Sequence, residues 1–474
     1  MSESSSRPPS GQQYLTTTRG AALYIGALLG PGLLLLPGLA AAQAGPASVL
    51  AWLALLGLSG LFAAVFSALG RKLPSAGGVM GYVAAGLGPR AGLIAGWSFL
   101  TGVVGGAPVV CLIGASYVTD LTGGGLVTRA AVAAGLLVVV LALAAGGLRA
   151  SAGTQVVLVS VLIGTVGVAV AGSASTARVA NWTPFAPHGW LSVGHAATTL
   201  MLSFVGWEAV APLTTRFADP SRQLPRVIGI ALAATTALYL SLAVAVIGVL
   251  GPDAATAVPL ADLLRRSIGA AGPAVAAVTA IVLTLGTTNA YVTGAATMAR
   301  ELIHRRDSHR AGAQPGFLAA IAAAGLVLIT LYGAGLVTTT GMVGIPTALF
   351  LSVYLAAMAA AIIVLRGAAR TAAIPAALAV VVMLAYCGWL LAIPAAVALA
   401  VCTASVHRAS VHRASVHRAP VRRAPVCTAP VRRASASGQD AALIVSACRR
   451  SPRSNASTGT SSSTSSGHGT GSRW

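Results

Sequence analysis

Apolar runs of membrane-crossing length recur through the first 400 or so residues, and they limit the fold before any motif is read. A helix needs about 20 mostly apolar residues to cross a hydrocarbon core of roughly 30 Å. Twelve spans are read, at residues 20–43, 47–70, 91–118, 129–147, 153–173, 192–214, 227–250, 272–297, 316–334, 341–365, 371–386 and 388–403. The last two are short enough to form a single hairpin turning at Cys387–Gly388. Charged residues are 8% of the 474, against about 25% in a soluble domain. So few charges cannot cover a water-facing surface, and the expected fold is an all-α membrane protein of about twelve transmembrane helices.

The net charge of +21 invites a nucleic-acid reading, which the placement of the charge excludes. Lys72 is the only lysine, the remaining basic residues are arginines in loops and in the tail, and no aromatic-plus-basic patch offers bases a stacking surface. Loop arginines instead set topology. With the N-terminus in the cytoplasm, fifteen Lys and Arg fall on the cytoplasmic side of the spans, including Arg71, Lys72, Arg222 and Arg300. Only Arg129, Arg178, Arg265 and Arg266 fall on the other side. The positive-inside rule then places both termini in the cytoplasm of a bacterial plasma membrane. Residues 1–18 are polar, lack the charged-then-apolar layout of a cleavable signal, and form a cytoplasmic segment.

The twelve-span membrane domain is expected at 19–403, followed by a tail at 404–474 of another character. SVHRA repeats at 405–409, 410–414 and 415–419, and the chain ends in Ser, Thr and Gly. The tail reads as a low-complexity, disordered, basic segment, or else as a patch for anionic lipid. His407, His412 and His417 make a poor ligand set, and the five cysteines have no metal or redox spacing. No metal site and no cofactor are expected.

Two spans carry features that an ordinary membrane helix avoids. Span 1 reads YIGALLGPGLLLLPG over 24–38, with Gly30, Pro31 and Gly32 near its middle. Proline removes a donor and glycine lets the backbone leave helical geometry. The expected result is a discontinuous helix; the plainer alternative is a kink at Pro31. A nucleotide-binding glycine loop is discarded because no βαβ context surrounds it. Span 6 reads SFVGWEAVAP over 203–212, and Glu208 is the only carboxylate inside any span. A buried charge there is a functional candidate by default. It either couples or gates a cycle, or is a hydrogen-bonded acid tying span 6 to a neighbour. The interruptions fall in the first span of each of two five-span blocks, about 19–173 and 192–365, with extra spans at 371–403. Paired interruptions in two halves mark a transporter binding site, and an odd number of spans makes the halves inverted.

The run IGALLGPGLLLLPG, the stretch LPSAGGVMGYVAAGLGPRAGLIAGW at 73–97, FVGWE at 204–208, DPSRQLPRVI at 219–228 and MAREL at 298–302 together resemble the amino acid–polyamine–organocation permeases. Within that family the chain is most similar to bacterial exporters of methionine and branched-chain amino acids. The resemblance covers about residues 18–400. It implies a leucine-transporter-like core of five plus five inverted spans with helices 1 and 6 discontinuous. It implies that backbone at Leu29, Gly30 and Gly32 holds a substrate carboxylate. Backbone at Ser203, Phe204 and Val205 would hold its amine, and Phe204 and Trp207 would wall or gate the pocket unless they pack elsewhere. Some proton-coupled members carry a lysine in span 5, and this chain has none there.

The expected function is secondary transport of a neutral amino acid by alternating access, through proton coupling or exchange, with lipid as the other partner. The rivals are a passive channel and an inactive or sensing homologue. An intramembrane enzyme would need several polar groups at one depth, and Glu208 has no second embedded carboxylate beside it.

Overall fold

The computed structural model describes residues 15–30, 32–73, 78–147, 152–209, 217–304 and 313–404. Pro31, Pro74 and Gly77, Pro212, segment 1–14 and the tail from 405 lie outside the described residues. Regular structure among the described residues is entirely helical.

Span 1 is two helices, α1 (Thr17–Leu28) and α2 (Gly32–Ala44). Five helices complete the first block: α3 (Ser48–Lys72), the short α4 (Gly78–Leu87), α5 (Pro89–Thr122), α6 (Leu126–Ala145) and α7 (Ala152–Ser173), which is its fifth span. The second block opens with α8 (Leu191–Leu200) and runs through α9 (Pro220–Ala245), α10 (Pro259–Ile268), α11 (Gly272–His304), α12 (Ala313–Gly333) and α13 (Thr339–Val364). The extra spans are α14 (Ala368–Tyr386) and α15 (Gly388–Ala404). Nine helical stretches among the described residues are long and apolar enough to cross a bilayer. The twelve spans are accounted for once α3 is separated from α2, and once broken span 6 and short α15 are each taken as a crossing.

Local chemistry sets several of these boundaries. Thr16 caps α1 by accepting a hydrogen bond from the Arg19 amide at 3.3 Å, and Thr338 caps α13 through Gly341 at 3.2 Å. Asp219 caps α9, and the Ser221 hydroxyl at 2.5 Å with the Arg222 amide holds its carboxyl below the usual carboxylate range. Gly88, at φ +92°, turns the chain into Pro89 at the start of α5. Two elements were not expected, α4 and α10. Helix α10 buries Leu260, Leu263 and Leu264 and exposes Arg265 and Arg266, so it is an amphipathic surface helix rather than a span.

The ends of the molecule are tied differently. At one end the Lys72 ammonium donates to the Val364 carbonyl at 2.6 Å, joining the C-terminal ends of α3 and α13. At the other, Arg265 bridges Asp120 at 3.1 Å and Asp262 at 2.5 Å, and Arg129 donates to the Tyr332 hydroxyl at 3.1 Å.

Glycine lets α2 approach its neighbours. A Cβ at Gly38 would run into the Thr256 carbonyl oxygen on the way into α10, and that backbone cannot swing aside like a side-chain tip. Gly164 in α7 faces open space. Gly38→Val is therefore expected to destabilise the protein by about 1–3 kcal/mol, as overpacking does. Gly164→Ala is expected to be neutral or to gain about 0.5–1 kcal/mol. Thermal unfolding in detergent measures both, and equal melting points for the two variants would contradict the packing described.

Candidate functional site

Helix α1 ends at Leu28, and the Leu29 amide closes its last turn on the Ile25 carbonyl at 2.7 Å. The chain restarts as α2 at Gly32, with the Leu33 amide reaching the Gly30 carbonyl at 3.2 Å. The second break has a different construction. Helix α8 tightens into a 3-10 turn at Met201–Phe204, Val205 is extended at ψ 134°, and Gly206 takes φ +142° before a short 3-10 turn at Trp207–Ala209. Only glycine accepts that φ at little cost. Space demands it too, because a Cβ at Gly206 would lie 2.6 Å from the Ala27 carbonyl oxygen. Span 6 is thus unwound directly against the end of α1, and both spans are discontinuous.

Backbone groups freed in lipid need partners, at a cost of several kcal/mol for each one left bare. Tyrosines from unbroken helices supply them. The Tyr239 hydroxyl of α9 lies 2.7 Å from both the Leu28 and the Ser203 carbonyls, so one proton serves the two breaks. The Tyr354 hydroxyl of α13 accepts from the Gly206 and Trp207 amides at 3.2 and 3.3 Å and donates to Glu208 Oε2 at 2.6 Å. Glu208 Oε2 also accepts from the Gly206 amide at 2.9 Å. Glu208 therefore ties span 6 to span 10. Its Oε1 has no hydrogen-bond partner among the described residues. The Tyr291 hydroxyl of α11 reaches the Val205 carbonyl at 3.4 Å.

Between the breaks and the scaffold helices lies a small cavity of about 90 Å³. Ala27, Leu28, Gly30 and Gly32 line it from span 1, and Leu202, Ser203 and Val205 from span 6. The far wall is mostly apolar, from Gly102 to Ile113 of α5 and from Phe350 of α13, with Thr287, Thr288 and Tyr291 contributed by α11. The Ser203 and Thr288 hydroxyls are buried and have no hydrogen-bond partner among the described residues. Ser203 leans over Gly32, where a Cβ would stand 2.7 Å from its Oγ.

Of the residues singled out in the sequence, Gly30, Gly32, Ser203 and Val205 meet in this cavity. Leu29 is buried in the core beside it. The Phe204 ring turns away, packing 5.9 Å from Trp52 and 5.2 Å from Tyr239, centroid to centroid. Trp207 also points toward α3, where its Nε1 donates to Ser59 Oγ at 2.8 Å. Sequence reasoning missed the tyrosine partners and the α5 wall. A tyrosine in mid-span was the available signal, since the chain has only nine tyrosines and a phenol in lipid needs a partner.

An N-terminal helix end at Gly32 and a C-terminal helix end at Phe204 thus face one mainly apolar cavity. Residues 15–410 match the family model described as amino acid permease. The chain belongs to the amino acid permease family. Members of this family are transporters, not enzymes. The permease is 31% identical over 410 residues to the uncharacterized amino acid permease YecA of Bacillus subtilis (strain 168), covering 83% of this chain and 95% of that one. It is 28% identical over 391 residues to the L-methionine/branched-chain amino acid exporter YjeH of Escherichia coli (strain K12), covering 80% and 92%. The crystal structure of MhsT in complex with L-phenylalanine superposes with a TM-score of 0.55 at 14% identity, over 79% of this chain and 99% of that one. That likeness shows the fold. The permease is a multi-pass membrane protein with the leucine-transporter-like core of inverted five-span repeats.

Tyr239→Phe removes the shared hydroxyl and leaves the Leu28 and Ser203 carbonyls without it. The expected loss is about 1–3 kcal/mol, read as a lower melting temperature in detergent. A melting temperature equal to that of the unmutated protein would show that neither carbonyl depends on the phenol.

Proposed function

We propose that this permease carries neutral amino acids, of the methionine and branched-chain type, across a bacterial plasma membrane by alternating access. The observation that carries this reading is the pair of opposed helix ends over an apolar cavity. The start of α2 presents amides without intrahelical partners and the positive end of a helix dipole, which suits a carboxylate. The end of the 3-10 turn at Phe204 presents carbonyls and the negative end, which suits an ammonium. The Ser203 and Thr288 hydroxyls add hydrogen-bonding capacity between them. A zwitterion complements this arrangement, and an uncharged apolar side chain suits the α5 wall.

Leu29, Gly30 and Gly32 take the carboxylate in this reading, and Ser203, Phe204 and Val205 take the amine through their backbones. Phe204 and Trp207 act from behind the cavity wall, fixing the unwound segment against α3. The likeness to the Escherichia coli exporter favours the substrate class. The cytoplasmic placement of both termini rests on the distribution of arginine.

The bonding pattern suits rocking of the first two spans of each repeat against the rest. Span 1 is joined to span 7 by Tyr239, and spans 2 and 6 by Trp207 with Ser59. Trp52 and Tyr239, at 5.2 Å, join spans 2 and 7. Links from this group to the scaffold include the single hydroxyls of Tyr354, Tyr291 and Tyr117, the last donating to the Leu34 carbonyl at 2.6 Å. Hydroxyls of this kind can exchange partners when the groups slide.

In proteoliposomes loaded with unlabelled leucine, external labelled leucine should accumulate transiently by counterflow. Equilibration at a rate indifferent to the internal leucine would identify a passive pore instead. Glu208 is assigned the coupling role, binding a proton at one stage of the cycle. Transport by the unmutated protein should then change with pH, and Glu208→Gln should flatten that dependence. A Gln variant with the original rate and pH profile would remove Glu208 from the cycle.

A further inference from the structure

The opposed helix ends orient an amino acid but do not say how large its side chain can be. On the reading just given, the side chain points away from the breaks, toward α5 and α13. Helix α5 presents Gly102 and Gly106 there, one turn apart on the same face, and α13 presents Phe350. The two glycines do unlike things. A Cβ at Gly102 would lie 3.0 Å from Cε1 of Phe350, so the ring already abuts the backbone and closes that end. At Gly106, which also lines the cavity, a Cβ would meet Pro346 Cβ in ordinary contact at 3.6 Å, so this part of the wall has room for a group that glycine does not supply. Phe350 is held in place from behind by Phe99, edge to face at 5.6 Å between centroids.

We infer that the hollow at Gly106, stopped by the Phe350 ring resting on Gly102, is the side-chain compartment and sets an upper limit on substrate size. A small aliphatic side chain enters the hollow, and an aromatic ring meets Phe350. Phe350 and Gly106 are then specificity-determining residues acting in opposite senses. Shortening Phe350 opens the far end, and adding bulk at Gly106 fills the near one. Filling or emptying a pocket by a methylene or more shifts discrimination by about 10-fold or more.

The test is competition for labelled leucine uptake by alanine, leucine, methionine, phenylalanine and tryptophan, using the full chain in proteoliposomes. Thermal unfolding of each variant in detergent runs alongside. The unmutated protein should be inhibited by leucine and methionine well below the concentrations at which phenylalanine and tryptophan act. Phe350→Ala should improve phenylalanine relative to leucine by about 10-fold or more. Gly106→Val should weaken leucine relative to alanine by a similar factor. Phe350→Leu, a smaller change, should move the ranking in the same direction as Phe350→Ala and serves where the alanine variant does not fold. Rankings that stay as in the unmutated protein, in folded variants, would overturn the compartment assignment alone. Failure of every amino acid to compete with or drive uptake in the unmutated protein would instead overturn the transport reading beneath it.

Discussion

A peptide group released from its helix in the middle of a bilayer has no water to turn to, and the arrangement around both broken spans follows from that. Val205 and Gly206 cannot be left with bare amides and carbonyls in hydrocarbon. The chain meets this requirement mainly with phenols. Tyr239, Tyr354 and Tyr291 each stand on an unbroken helix and each reach into a break. A phenol suits the task because its ring packs in the apolar interior while its hydroxyl both donates and accepts. Tyr354 uses both capacities, taking two amides and giving its proton to Glu208.

This way of satisfying the backbone also leaves some capacity unused. Complete pairing would need no ligand. Here the Ser203 and Thr288 hydroxyls and one Glu208 oxygen are buried without partners among the described residues. Buried polar groups in that state are uncommon in native structures and call for an explanation. On the function proposed above, a zwitterionic substrate answers for Ser203 and Thr288, which border the cavity. Glu208 does not border it and lies behind the unwound turn. A proton there would act on the bonds that hold Gly206, and so on the shape of the break, rather than on the substrate directly.

The span count, the two breaks and the buried acid were legible because each violates a simple rule of membrane helices. Glycine and proline in mid-span, and a carboxylate in lipid, stand out against an apolar background. Which way a side chain points was not legible. Helical periodicity of 100° per residue ends where the helix ends, so Phe204 and Trp207, adjacent to the break, carry no phase that sequence can supply. Both turn toward α3, away from the cavity. The α5 wall was hidden for a related reason. In a span that is apolar all round, amphipathicity no longer marks a functional face, and Gly102 and Gly106 look like ordinary packing glycines. Helix α10 was missed although its pattern is plain. Leu260, Leu263 and Leu264 beside Arg265 and Arg266 mark a surface helix, in a stretch read only as a connection.

The same reasoning explains why the two breaks depend on each other. Gly206 lacks room for a Cβ because the end of α1 is there, and α1 ends there with its Leu28 carbonyl on the same phenol that holds Ser203. Neither break is a local accident of its own sequence. Moving one without the other would strand a carbonyl and drive backbone against backbone, so spans 1 and 6 are constrained to move together. A carrier whose substrate lies between two such segments can present it to one side or the other only by carrying both along. Within that unit Tyr239 holds both breaks at 2.7 Å, and its links outward run through the single hydroxyls of Tyr354, Tyr291 and Tyr117.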